Sequence, residues 1–151
     1  MDRSAVHDTF TFDRHYAAAP ARVFQAFADP AAKAKWFGAP GARTEDVSFD
    51  FSEGGRETVT TVFDDGTRFG YAATYTDIVP DERIVYTYEM SMNGARISVS
   101  VATVEVRAAA GGGTDLVLTE QGVYLDGLDQ PKQRLDGTEH LLDALGSSLG
   151  S

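Results

Sequence analysis

The feature that most constrains the fold is a series of six strand-like segments separated by short turns. The segments cover residues 47–51, 57–63, 69–79, 83–90, 96–106 and 114–122. The connections include Asn93-Gly94, a dipeptide that favours a two-residue hairpin turn, and the glycines at 111–113. Because connections this short join neighbouring antiparallel strands, we predict an antiparallel meander over residues 47–122.

The part of the chain before the meander predicts one strand and two short helices. Residues 10–16, FTFDRHY, alternate in polarity and are typical of a strand. Pro20 lies near the start of a first helix, which contains ARVFQAFA. Asp29-Pro30 ends that helix, and AAKAKWF follows as a second helix that ends at the glycines of 38–41. This second segment contains the only tryptophan of the chain, Trp36.

The C-terminal segment, residues 131–149, predicts one long amphipathic helix. A stripe of leucines recurs at helical spacing at positions 135, 142, 145 and 149, with Leu141 beside it. Gly137 costs this helix about 1 kcal/mol relative to alanine, and we expect a close approach of the helix to the sheet as compensation.

The helix must bury its stripe and the sheet must bury one face. We therefore predict a single α+β domain over residues 1–151, with a curved antiparallel sheet wrapped around the last helix in the order β-α-α-β6-α. A ligand-sized cavity between the sheet and the helix is expected from this arrangement.

Charge and composition exclude several classes of function. The net charge of −10 disfavours phosphate backbones and anionic lipid surfaces, so nucleic acid is not expected as a partner. The absence of cysteine excludes a thiol nucleophile and cysteine-based metal sites. Residues 1–9 lack the apolar region of a secretory signal, and no apolar run is long enough for membrane insertion. A cytoplasmic location is the expectation.

Several stretches spread over nearly the whole chain resemble one superfamily. They are PARVFQAFADPAAKAKWFG (20–38), FSEGG (51–55), DIVPDERIVYTYEM (77–90), TDLVLTEQG (114–122) and GTEHLLDALGSSL (137–149). Their order resembles that of START-like, or SRPBCC, proteins, and most closely the branch named after the C-terminal domain of the activator of Hsp90 ATPase. The resemblance implies a helix-grip fold, and relatives bind lipids or hormones or act as polyketide cyclases and hydrolases.

The same resemblance also limits what can be carried over. The eukaryotic activator has an additional N-terminal domain for its chaperone contacts, so an interaction with Hsp90 is not expected for this chain. Many members have tryptophan where this chain has Thr138, and many have glycine near Ala73. Both positions shape the expected cavity, so a relative's ligand does not transfer to this chain.

Catalytic and metal-binding motifs are missing from the sequence. It contains no HExxH, P-loop, G-x-S-x-G or dinucleotide fingerprint. The three histidines, at positions 7, 15 and 140, are too far apart in the pattern to suggest converging metal ligands. We therefore predict neither a metal nor another cofactor.

Aromatic residues on alternating strand positions are the main candidates for lining the cavity. Tyr86, Tyr88 and Met90 share one strand face, and Tyr71 and Tyr75 share another. An ordinary packed core is the simpler explanation for any one of these rings, but a buried tyrosine hydroxyl needs a partner that a ligand or water can supply. The resemblance places the Tyr86/Tyr88 face inward. The predicted lining consists of Trp36, Phe37, Phe49, Phe51, Tyr71, Tyr86, Tyr88, Met90, Leu118, Glu120 and Leu142.

Glu120 is the most specific polar candidate because it alternates with Leu116 and Leu118. If that face is inward, the carboxyl enters apolar surroundings, its pKa rises, and it can serve as a general acid or base. The alternative places Glu120 at a strand end near the cavity mouth, paired with an arginine or with water. Arg56 and Glu57 present a similar choice, because one of the two must face the sheet interior in a regular strand.

Three hypotheses for function follow. The first is a binding protein for a lipid-like, aromatic or polyketide-like small molecule. The second is a cyclase- or hydrolase-type enzyme that uses the same cavity mainly to position its substrate. The third is an interaction domain whose outer sheet face forms a homodimer or binds a partner protein.

Overall fold

The structure is a computed structural model and describes residues 2–150. It contains seven strands and three helices: β1 (Ala5–Tyr16), α1 (Pro20–Ala28), α2 (Pro30–Lys33), β2 (Arg43–Phe49), β3 (Arg56–Val62), β4 (Arg68–Val79), β5 (Arg83–Met92), β6 (Ala95–Ala108), β7 (Thr114–Leu125) and α3 (Pro131–Leu149). The order confirms the predicted β-α-α-β6-α arrangement and the α+β helix-grip fold.

The strands form one antiparallel sheet in the order β1-β7-β6-β5-β4-β3-β2. Strands β2 to β7 form the predicted meander, and β1 pairs with β7 over its full length, from Ala5 opposite Leu125 to Tyr16 opposite Thr114. Asn93 and Gly94, both with positive φ, make the hairpin turn between β5 and β6, as their sequence indicates. The sheet curves around α3 and presents one face to it.

Helix α3 is held against the sheet by apolar packing and by a hydrogen bond. Leu142 and Leu145 of the leucine stripe are fully buried in the main core, together with Val104 and Leu116 of the sheet. The Tyr16 hydroxyl donates a hydrogen bond of 2.8 Å to the backbone carbonyl of Leu142. No helix among residues 2–150 is long and apolar enough to cross a membrane.

Several predicted boundaries were wrong. Strand β1 begins at Ala5 rather than at residue 10, and β7 ends at Leu125 rather than at residue 122. Helix α2 ends at Lys33 rather than at Phe37, because the backbone N–H groups of Lys35 and Trp36 donate to carbonyls three residues back instead of four. Strand β2 runs from Arg43 to Phe49 and contains a register shift between Glu45 and Ser48, so the strict alternation predicted for residues 47–51 is not maintained.

The close approach predicted at Gly137 was also wrong. A β-carbon added there meets no atom within 4 Å, whereas one added at Gly146 lies 3.0 Å from the Tyr16 ring. The glycine that permits tight packing of α3 is therefore Gly146, one turn before the end of the helix.

Replacing Gly137 with alanine is expected to raise the free energy of unfolding by about 0.5–1 kcal/mol. The position is inside α3, and the added methyl group enters open space, so only the helix propensity changes. Urea denaturation provides the measurement. Gly146→Ala serves as the control and is expected to destabilise, and equal effects of the two changes would contradict this assignment.

Candidate functional site

A pocket of about 680 Å³ lies between the inner face of the sheet, α3 and the loop after α2. Its wall contains all eleven predicted lining residues, from Trp36 and Phe37 to Leu142. The volume falls within the range of small-molecule sites. Whether these residues bind a ligand remains a prediction.

Aromatic rings in edge-to-face or tilted contact form much of the wall. Trp36 lies 5.0 Å from Phe27 and 5.7 Å from Phe37, measured between ring centroids. Phe37 in turn lies 5.2 Å from Tyr71, which lies 5.1 Å from Tyr88. Such pairs add about 0.5–1.5 kcal/mol each beyond their area burial, so the wall is a packed structure rather than a set of independent side chains.

Trp36 is both a core residue and part of the wall. Its indole Nε1 donates a 2.8 Å hydrogen bond to the backbone carbonyl of Ala26 in α1, which holds the ring in place. The ring is buried, and its remaining surface borders the pocket. The loop after α2 therefore closes one end of the space between sheet and helix.

One polar group in the wall is the lysine cluster, defined as Lys33, Glu57 and Tyr75. The Lys33 Nζ lies 2.6 Å from Glu57 Oε1 and 3.2 Å from the Tyr75 hydroxyl, which donates to the same carboxylate oxygen at 2.6 Å. Burial lowers the pKa of Lys33, and the Glu57 charge opposes that effect. Burial and the Glu57 charge together raise the pKa of Tyr75. Of the Arg56/Glu57 pair, Glu57 is the inward residue and Arg56 is exposed.

The second polar group is the arginine cluster, formed by Arg134 of α3 with Tyr88, Ser98, Glu120 and Asp129. Arg134 donates to the Tyr88 hydroxyl at 2.9 Å, to Ser98 Oγ at 3.0 Å and to Asp129 Oδ2 at 2.5 Å. The Tyr88 hydroxyl donates to both carboxylate oxygens of Glu120, at 3.0 and 2.9 Å. Arg134 Nη1 lies 3.9 Å from Glu120 Oε2, so the two carboxylates share one guanidinium.

Glu120 faces inward together with Leu116 and Leu118, which is one of the two alternatives that the sequence left open. It lies within β7 rather than at the strand end that the alternative proposed, because β7 continues to Leu125. The arginine partner named in that alternative is present, as Arg134. Burial raises the pKa of the Glu120 carboxyl, and Arg134 and the Tyr88 hydrogen bond oppose the rise.

Two further tyrosines have hydroxyls without a protein partner. Tyr71 and Tyr86 line the pocket between the two clusters, and within residues 2–150 neither hydroxyl forms a hydrogen bond. Burial is the main cause that raises the pKa of both phenols, so both are neutral near pH 7. Each is available to bind a polar atom of a pocket ligand or water.

Sequence reasoning missed Lys33 and Arg134, the two cations of the pocket. The sequence does indicate an inward position for Arg134 once residues 131–149 are taken as a helix, because residues 134, 138, 142 and 145 follow the spacing of one helix face. Lys33 has no such signal, because it is flanked by alanines in a helix of only four residues.

The part of the chain that the structure describes contains no group of three or more histidine, aspartate or glutamate side chains arranged to hold a metal ion. His140 borders the pocket on α3, and His15 lies on β1 with its Nδ1 3.0 Å from Asp115 Oδ1.

Comparison with known proteins identifies one family. A family model described as "Activator of Hsp90 ATPase homolog 1-like protein" matches residues 17–150. No match to the chain was found among curated proteins.

Solved structures with the same fold include two that are closely similar in sequence. An uncharacterised protein from Rhizobium leguminosarum is 44% identical, with a TM-score of 0.93 and 99% of each chain covered. Protein Mll3558 from Rhizobium loti is 42% identical, with a TM-score of 0.88 and coverage of 97% of this chain and 99% of that one. The AHSA1 protein from Silicibacter pomeroyi shares the fold at 21% identity, with a TM-score of 0.74 and coverage of 95% and 98%.

Proposed function

The chain belongs to the family of activator of Hsp90 ATPase homolog 1-like proteins, and from that premise we propose that it binds an uncharged aromatic or lipid-like small molecule in the pocket between sheet and α3. The observation that carries the proposal is the composition of the wall. Aromatic rings dominate it, and its buried charges already have partners within the protein.

Charge balance favours an uncharged ligand over an anionic one. The two pocket cations, Lys33 and Arg134, face three carboxylates, those of Glu57, Glu120 and Asp129, so each cation already has a partner. A ligand carboxylate has no unpaired buried cation to bind here and would lose its hydration without compensation. The hydroxyls of Tyr71 and Tyr86 suit an uncharged ligand that carries a hydroxyl or carbonyl oxygen.

The proposal is tested by titration with 2-naphthalenemethanol and related uncharged aromatic alcohols and ketones. Because Trp36 is the only tryptophan, its indole N–H gives a single resolved NMR signal at the pocket wall, and we expect this signal to shift on binding. The charged analogue 2-naphthoate is expected to bind at least about tenfold more weakly, a difference of about 1.4 kcal/mol. If no uncharged probe shifts the signal or releases heat in calorimetry, the proposal is wrong.

Filling the pocket by the change Thr138→Trp is expected to weaken binding of these probes by at least about tenfold. Thr138 is buried on α3 and lines the pocket, so an indole at this position occupies ligand space. Glu139→Trp is the matched control, because it adds the same group to the exposed side of the same helix. Calorimetric titration of both variants gives the comparison, and equal affinities would place the ligand elsewhere.

A second candidate function is catalysis of the cyclase or hydrolase type. The observation that favours it is a carboxyl with a raised pKa, Glu120, hydrogen-bonded to Tyr88 inside the pocket. Turnover that is lost in Glu120→Gln while probe binding persists would support it.

The interaction-domain hypothesis has less support. Within residues 2–150, the large hydrophobic side chains that are exposed are Val6, Val47 and Val99, and these lie on three different strands. Scattered exposed residues of this kind are ordinary on monomeric proteins.

A further inference from the structure

Lys33 is held in a fixed position at the pocket wall. The Asp29 side chain caps α2 by accepting from the Ala32 backbone N–H at 2.9 Å, and the Lys33 N–H donates to the Asp29 carbonyl at 2.9 Å. The Lys33 carbonyl accepts from Trp36 and Phe37 on the other side. The backbone that carries the amine is therefore bonded on both sides.

The amino group itself lies among aromatic rings. Lys33 Nζ is 4.4 Å from the centroid of Phe37 and 5.1 Å from that of Phe49, and both rings line the pocket. The whole residue is only 7% exposed, so the amine is separated from bulk water but borders the ligand space.

The stability of the fold does not by itself explain the buried Lys33–Glu57 ion pair. Buried pairs such as Lys33–Glu57 can often be replaced by apolar side chains without loss of stability, so the fold itself does not require one. A lysine desolvated in an apolar pocket is, however, a standard way to activate an amine as a nucleophile toward carbonyl compounds.

We propose that Lys33 forms an imine with an aromatic aldehyde or ketone bound in the pocket, a proposal that rests on the proposed function. Glu57 takes a proton from the ammonium, and the free amine attacks the carbonyl carbon. One of the two protons on the nitrogen moves to the carbonyl oxygen, which gives a carbinolamine. Glu57 returns the proton to the hydroxyl, which leaves as water. Overall, ammonium and carbonyl give iminium and water, so atoms and charge balance without an oxidant or reductant, and Glu57 remains the counter-ion.

Neighbouring groups fit these roles. Glu57 Oε1 is 2.6 Å from Nζ, within the distance for direct proton transfer. The Tyr75 hydroxyl, 3.2 Å from Nζ, bridges the amine and the carboxylate. Glu57 of β3 and Tyr75 of β4 are the titratable groups that face the amine, since Phe37 and Phe49 complete its surroundings.

The test is reductive trapping of the wild-type chain with 2-naphthaldehyde and sodium cyanoborohydride near pH 7, followed by peptide mass mapping. The chain has only three lysines, and Lys35 and Lys132 are exposed, so they serve as internal controls. We expect Lys33 to be modified at least about tenfold faster than either control, and this preference to vanish in urea. Equal labelling of the three lysines, or faster labelling of Lys35, would overturn the proposal.

Competition with a probe that cannot form an imine distinguishes imine formation from ligand binding. Excess 2-naphthalenemethanol, which has no carbonyl, should suppress trapping at Lys33 and leave Lys35 unchanged. If the alcohol shifts the Trp36 signal but Lys33 is not trapped, imine formation is wrong and binding stands. If the alcohol does not bind and Lys33 shows no preference, both proposals are wrong.

The variants Lys33→Arg and Glu57→Gln refine the result. Lys33→Arg keeps the charge but should lose trapping at position 33 completely. In Glu57→Gln the carboxylate no longer favours the ammonium, so we expect the midpoint of the pH dependence of trapping at Lys33 to move to lower pH. An unchanged midpoint would show that Glu57 does not act on this amine.

Discussion

Replacing Glu57 with leucine is expected to lower the free energy of unfolding by about 3–5 kcal/mol at pH 7. The change leaves the Lys33 ammonium buried without its carboxylate, with only the Tyr75 hydroxyl and aromatic rings around it. Removing Glu57 also removes the group that raises the pKa of Lys33 against burial, so that pKa falls further. Urea denaturation followed by circular dichroism measures the loss.

The pH dependence of this loss has a definite sign. When the pKa of a lysine is lower in the folded state, the unfolded chain binds more protons, and stability rises with pH up to the unfolded value near 10.5. The deficit of Glu57→Leu should therefore shrink between pH 7 and pH 9.5. The double variant Lys33→Met/Glu57→Leu should be close to wild type at both pH values. A double variant as unstable as the single one would show that packing, not the orphaned charge, explains the loss.

Replacing Arg134 with methionine is expected to cost a similar amount, about 3–5 kcal/mol near neutral pH. The variant keeps the apolar length of the side chain but leaves Glu120 and Asp129 without their shared guanidinium. Burial already raises the pKa of Glu120, and loss of Arg134 raises it further. A carboxyl with a raised folded pKa costs stability as the pH climbs above its unfolded value, so the deficit should be smallest near pH 4.5 and grow toward pH 7.

Lys132→Met provides the control for this change. Lys132 lies on the same helix and pairs with Asp136 at 2.9 Å, but the pair is exposed, and its loss should cost less than about 0.5 kcal/mol. Denaturation of both variants at pH 4.5 and 7 gives the four values needed. A deficit of Arg134→Met that is the same at both pH values would contradict the role assigned to Glu120.

The fold was predictable because its signals are local. Asn93-Gly94, the glycines at 111–113 and the alternating segments each specify a turn or strand from neighbouring residues. The errors occurred where a local pattern was disturbed by contacts from elsewhere. The bulge in β2 is an example, because it lies where that strand pairs with β3.

The lining of the pocket was predictable to the extent that alternation and the family resemblance indicate the inward face. Tyr86 and Tyr88 follow the period of two within β5, and Leu118 and Glu120 follow it within β7, so one correct choice of face for each strand places both of its residues. The close contact predicted at Gly137 was wrong because such a contact has no periodic pattern in the sequence. The distance between a helix and a sheet depends on side chains of both, and the contact lies at Gly146 against Tyr16.

The sequence alone determined the order of elements, the antiparallel meander and the amphipathic last helix, because each depends on periodicity or on turn residues that are adjacent in the chain. Only the tertiary structure decided which charges meet. Lys33 and Glu57 are 24 residues apart, and Arg134 and Glu120 come from a helix and a strand that meet only in the folded chain. Pairing between distant residues has no periodic signature, so the polar chemistry of the pocket emerges only from the folded chain.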